Sequence, residues 1–197
     1  EIFCAYKADC RMISAAALGI ALDPEENGDS FRENALIKAT AFFQAVQQCK
    51  AAEKPDEPFL VVADDSGLTV DALHGAPGVL SARYASTDGK NATDAENVNK
   101  LLREMTSVPQ EKRNAAFVCA VAGIGSDGTI LLAEGSLRGE IVSVPRGENG
   151  FGYDPVFYLP SYAKTVAELT AAEKNSVSHR GQALRALAES ASQRGLL

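Results

Sequence analysis

No stretch of this sequence approaches the roughly 20 consecutive apolar residues that a membrane-crossing helix requires, which argues against a membrane protein. No charged-then-apolar secretory pattern opens the chain, although Glu1 is not an initiator residue and the natural start is expected to lie upstream. Histidine is scarce, at two residues, and the four cysteines (Cys4, Cys10, Cys49, Cys119) form no C-x-x-C pair, so a zinc site is not expected. Nor do the cysteines space out as a disulfide framework, which points to a reducing, cytoplasmic setting. Nineteen Lys and Arg against 26 Asp and Glu leave a net charge of -7. Without a broad basic surface, a nucleic-acid polymer is not an expected partner. A phosphorylated small molecule still is, where a metal ion and a few focused cations neutralise it locally.

What is present is enough for a sizeable core: 197 residues, 46% of them hydrophobic and 23% charged. That excludes a disordered chain and predicts a single globular domain over residues 1–197, or two lobes sharing one sheet. Ser30-Phe-Arg-Glu33 and Thr93-Asp-Ala-Glu96 match the capping box that starts a helix, and apolar residues at helical spacing follow each. Thr165-x-x-Glu168 and Thr170-x-x-Glu173 repeat the signature, and a last helix is predicted over about 178–192. Phe59-Leu-Val-Val-Ala63 reads as a buried strand ending at Asp64-Asp65-Ser66-Gly67. Strands are also predicted over 114–123, 129–134 and 137–144, the first two joined by a hairpin at Ser126-Asp127-Gly128. Residues 50–58, reading KAAEKPDEP, have the composition of a surface loop. Interleaved helices and strands make this a mixed α/β protein.

The Asp64-Asp65 pair carries the most chemical information. Adjacent residues on a strand point to opposite faces, so the two carboxylates should do different jobs. One there can hold a divalent cation or take a proton from water; equally, either can cap a turn. Glu33 fits its capping box, and also fits a second metal ligand near Asp65. Gly147 to Asp154 sets three glycines around Phe151 and Tyr153, which suits close backbone approach to a ligand and stacking on a base, or a turn whose aromatics pack inward. Lys174, His179 and Arg180 gather cations near the start of the last helix, where they meet phosphate oxygens or a base carbonyl, or form a solvated helix end. His74 reads as a loop residue and Cys119 as a core residue.

In order along the chain, Ser30-FRENALIKA-Thr40, Ala63-DDSGLTVDALHGAPGVLSARYA-Ser86, Gly147-ENGFGYDPVF-Tyr158 and Ala172-EKNSVSHRGQAL-Arg185 resemble the inosine triphosphate pyrophosphatase family. The resemblance implies an elongated two-lobed α/β fold with a long twisted sheet and a nucleotide cleft between lobes, a homodimer, and Mg²⁺-dependent hydrolysis of inosine, deoxyinosine or xanthosine triphosphate to the monophosphate and pyrophosphate. It implies Asp65 as general base and, with Glu33, as metal ligand. Ser66, Phe151, Gly152, Tyr153, Asp154, Lys174, His179 and Arg180 are implied as substrate-binding residues. The family's N-terminal strand and [S/T]-x-N-x-x-K triphosphate loop are matched only loosely. Glu1 to Ala5 stands for the strand, and Tyr6, Ala8 and Arg11 for the loop, of which Arg11 alone keeps the charge. That departure leaves open a second reading, a nucleotide-binding protein of this fold without turnover.

Overall fold

The computed structural model describes residues 2–5, 10–50 and 58–197. Among the described residues, four α-helices and five β-strands form the frame: α1 (Phe31–Lys50), β1 (Leu60–Val70), α2 (Asp94–Glu104), β2 (Asn114–Gly125), β3 (Ile130–Ile141), β4 (Phe157–Leu159), β5 (Lys164–Thr165), α3 (Ala171–Val177) and α4 (His179–Gln193). The strands make one sheet in the order β1-β2-β3-β4-β5. Its register is antiparallel: Ser126 N–H donates to the Phe59 carbonyl at one end of β1, while the Thr69 hydroxyl donates to the Ala116 carbonyl at the other. β3 meets β4, and β4 meets β5, in antiparallel pairs as well. The expected mixed α/β class is therefore what the chain adopts. Among the described residues no helix is long and apolar enough to cross a membrane.

The chain divides into two compact units, one comprising Glu1–Asp65, Cys119–Gly135 and Arg180–Leu197, the other Ser66–Val118 and Ser136–His179. In the first unit the strand period of two sorts side chains cleanly. Leu60 and Val62 of β1, Cys119 and Val121 of β2, and Leu131 and Ala133 of β3 pack with α4 through Ala183, Leu187, Ala188 and Ala191. The alternate residues Ala63, Ala120, Ala122 and Leu132 pack with α1 through Ala35 and Ala39. Alanine meeting alanine leaves little bulk between that helix and the sheet. The second unit has its own core, in which Leu68 and Val70 of β1, Val98 and Leu101 of α2, and Met105 just after that helix pack with Phe157 and Ile141.

Two strands differ from their sequence reading. β1 does not stop at Asp64-Asp65-Ser66-Gly67 but runs through it to Val70. The expected strands 129–134 and 137–144 are one strand, Ile130–Ile141, with Gly135 and Ser136 inside it. In both places the strand leaves the residues of one core and enters those of the other. The apolar pattern lapses there while the hydrogen-bonded ladder continues. The predicted N-terminal strand is also corrected, since Phe3–Ala5 forms a single 3₁₀ turn. Glu1, Tyr6 and Ala8, and most of the predicted loop at 51–57, lie outside the described residues.

Candidate active-site residues

The capping box at Ser30 forms in a shifted way. The Ser30 hydroxyl accepts from Glu33 N–H at 3.2 Å, but the Glu33 carboxylate accepts from Asp29 N–H at 2.7 Å, one residue before the position a reciprocal box uses. Glu33 itself is exposed on the first turn of α1. Its neighbour Asn34 is fully buried and joins two segments. Its side-chain oxygen accepts from Gly28 N–H at 2.8 Å, and its amide donates to Asp65 Oδ2 at 3.2 Å. Gly28 has to be glycine here, because a Cβ would fall 2.7 Å from that of Glu33 and 2.8 Å from the Asn34 oxygen.

One turn further along the same face of α1, Lys38 donates to Asp65 Oδ1 at 3.2 Å and to Glu26 Oε1 at 2.9 Å. Asp65 is thus gripped on both oxygens, each of which keeps a second acceptor direction. Burial raises its carboxyl above the ordinary carboxylate range, with Lys38 and Asn34 acting against that rise. A carboxylate so placed is a better proton acceptor near neutrality than an exposed one. Lys38 escaped the sequence reading. The available signal was its four-residue spacing from Asn34, which puts both on one helix face beside the strand bearing Asp65.

Asp64 points the other way, as strand alternation requires. Arg180 Nε donates to its Oδ2 at 2.9 Å, and the Cys119 thiol lies 3.7 Å from the same oxygen. So Arg180 pairs with Asp64 and not Asp65, and its side chain remains 45% exposed at the start of α4. Burial, with Asp64 adding to it, pushes the Cys119 thiol up to about 12. At pH 8 only roughly one Cys119 in ten thousand is then thiolate. Iodoacetamide at that pH is expected to modify exposed Cys49 and leave Cys119 intact until the protein is unfolded, as peptide mass mapping would reveal.

In the second unit the glycine-rich segment is a braced loop. Asp154, almost fully buried, accepts from Phe151 N–H at 3.0 Å and pairs with Lys174 Nζ at 2.5 Å. Gly150 has φ 83°, and a Cβ there would lie 2.0 Å from Asp154 Oδ2, so this turn admits only glycine. Phe151 stands 66% exposed with the Lys174 ammonium 4.7 Å from its ring centre. Tyr153 packs its ring in the core, with its hydroxyl donating to the Ser81 carbonyl at 2.8 Å. The imidazole of His179 stacks on Phe117 with centroids 5.2 Å apart. Ser66 follows Asp65 on β1, and Arg11 is exposed in the irregular segment before α1. His74 occupies a turn at φ 53°, as its loop reading requires.

Among the described residues no three His, Cys, Asp or Glu side chains converge as a ready-made metal cage. The acidic group of the first unit nevertheless suits Mg²⁺. Its donors are oxygen-only, and Mg²⁺ commonly takes one or two carboxylates and completes its shell with water and substrate phosphates. The burial of Asp65, incompletely offset by its protein partners, is what a facing dication would relieve.

The sequence model of the Ham1 family matches residues 3–190. Over 176 residues the chain is 43% identical to the "dITP/XTP pyrophosphatase" of Clostridium perfringens (strain 13 / Type A), covering 89% of this chain and 82% of that protein. It is 50% identical over 167 residues to the protein of the same name from Geobacillus kaustophilus (strain HTA426), covering 85% and 75%. Among solved structures, the Staphylococcus aureus Ham1 protein superposes with a TM-score of 0.82 at 37% identity, covering 98% of this chain and 92% of that one.

Proposed function

The chain belongs to the Ham1 family, and from that premise we propose how its residues carry out the hydrolysis of non-standard purine nucleoside triphosphates to the monophosphate and pyrophosphate. It is a nucleoside triphosphate pyrophosphatase, in keeping with its relatives' shared name of dITP/XTP pyrophosphatase. The single observation that supports the catalytic reading best is the buried Asp65 carboxylate, held on both oxygens by Asn34 and Lys38.

In this reading Asp65 accepts the proton of a water that attacks the α-phosphorus, and the α–β anhydride bond breaks as pyrophosphate leaves. Asn34 and Lys38 fix the plane of the carboxylate so that its remaining lone pairs meet that water. Glu33 and Asp65 would hold Mg²⁺, which when bound neutralises charge on the phosphate oxygens. Lys38 sits among acidic groups and adds a fixed positive charge beside the reacting phosphates. Arg11 contributes a further cation toward the triphosphate, and Ser66 a hydroxyl contact.

Phe151 offers its exposed ring to the purine, with Gly152 and Asp154 shaping the loop and Lys174 reaching the base edge. Tyr153 serves from within the core, as a brace. Arg180, oriented by Asp64, supplies a donor to the 6-oxo group of hypoxanthine or xanthine, and His179 supports it. Adenine, with a 6-amino group, offers that donor no acceptor, which favours the 6-oxo purines over it. The free thiols of Cys49 and Cys119 fit a cytoplasmic enzyme. A homodimer follows from the family resemblance, and sedimentation velocity would test it.

The function itself is tested by incubating the protein with inosine triphosphate and Mg²⁺. Inosine monophosphate and pyrophosphate are expected in equal amounts, with ATP turned over at least about 100-fold more slowly. Orthophosphate as the first product, or no release above a blank without enzyme, would refute the reading.

A further inference from the structure

The Phe151 loop is held by a second carboxylate that comes from outside it. Asp94, the first residue of α2, accepts from Gly152 N–H through Oδ2 at 2.6 Å. Asp154 accepts from Phe151 N–H, so two successive main-chain amides on either side of the exposed ring are each fixed by an acidic side chain. Asp94 is itself well anchored. The Thr93 hydroxyl accepts from Glu96 N–H at 3.3 Å while Glu96 accepts from Thr93 N–H at 2.9 Å, and Asn97, Val98 and Leu101 are buried just beyond.

We propose that Asp94 is a positioning residue that sets the angle of the Phe151 ring, and with it the affinity for the purine base. Gly150 and Gly152 both have positive φ, so the segment between them has unusual backbone freedom when nothing holds it. Asp154 holds the Gly150–Phe151 peptide through Phe151 N–H, donates its own N–H to the Phe151 carbonyl at 3.2 Å and pairs with Lys174, which leaves the N–H side of the Phe151–Gly152 peptide to a second anchor. Asp94 supplies the second point. An ordered aromatic platform binds a base without first losing its own conformational freedom, which is why losing the anchor should appear in substrate binding more than in the chemical step.

This rests on Phe151 being the base platform, so the experiment separates the two claims. Asp94→Ala is expected to raise KM for inosine triphosphate about tenfold with kcat changed less than about threefold. Asp94→Asn, which keeps a side-chain oxygen acceptor, is expected to recover most of that loss. In a Phe151→Ala background Asp94→Ala should add little, because the platform it orients is gone. Circular dichroism and thermal unfolding confirm that each variant is folded. If Phe151→Ala raises KM but Asp94→Ala does not, or if the two effects multiply independently, the positioning role is overturned. If Phe151→Ala leaves KM unchanged, the platform reading fails and the role of Asp94 falls with it.

Discussion

Asp65→Asn is expected to reduce kcat for inosine triphosphate by about 10²–10⁴-fold, the range that a positioned proton acceptor contributes. The substitution suits the surroundings. Asparagine has nearly the same shape, and its oxygen can still accept from either Lys38 or Asn34, so the fold should hold. What it loses is basicity and the negative charge between Lys38 and its neighbours. Pyrophosphate release under saturating substrate is the measurement, with thermal unfolding alongside. A rate within tenfold of the parent would mean that another group takes the proton.

The largest expected effect on stability lies elsewhere, at Arg113 just before β2. This guanidinium is 6% exposed, yet its hydrogen bonds run to main-chain carbonyls: Nε donates to Val108 at 2.9 Å and Nη2 to Met105 at 2.7 Å. Met105 closes α2, so Arg113 adds a second donor to a helix-end carbonyl that also accepts from Val108 N–H at 3.0 Å, and places positive charge at the negative end of the helix dipole. Arg113→Ala removes both donors and leaves a void beside Met105, which is itself fully buried. A loss of about 3 kcal/mol is expected, and a fall of roughly 6–12 °C in unfolding temperature. Arg113→Lys should recover less than half, since one ammonium lacks the planar fork that reaches both carbonyls. Differential scanning fluorimetry checks both variants.

Helix starts were the most legible part of this sequence, because a capping box is a local chemical device. At Thr93, Thr165 and Thr170 the hydroxyl and the carboxylate three residues on make the expected reciprocal bonds. Ser30 shows the limit: the motif marks the helix, but Glu33 reaches Asp29 because the preceding chain also has to bring Gly28 to Asn34. The strand end at Ser126-Asp127-Gly128 was legible because the turn itself is coded there. Asp64-Asp65-Ser66-Gly67 has the composition of a turn yet stays extended, since its hydrogen bonds depend on neighbouring strands that its own residues do not specify.

The same division applies to the candidate site. Separating Asp64 from Asp65 needed only the alternation of a strand. Finding that Lys38 meets Asp65, 27 positions away, needed the packing of α1 against the sheet. Sequence patterns likewise gave Phe151 and Tyr153 equal standing. Tertiary packing distinguishes them, leaving one ring in solvent and drawing the other beside Ser81.

The back-to-back placing of Asp64 and Asp65 makes β1 intolerant of changes in length. Deleting one residue between Leu60 and Ala63 would force either a slip against β2 or a half-turn of everything downstream. A slip of that kind would exchange the two acids, sending the one now gripped by α1 toward Arg180 and its neighbour toward Lys38. Substitutions can therefore accumulate along this strand during evolution, while insertions and deletions are confined to the connections on either side of it.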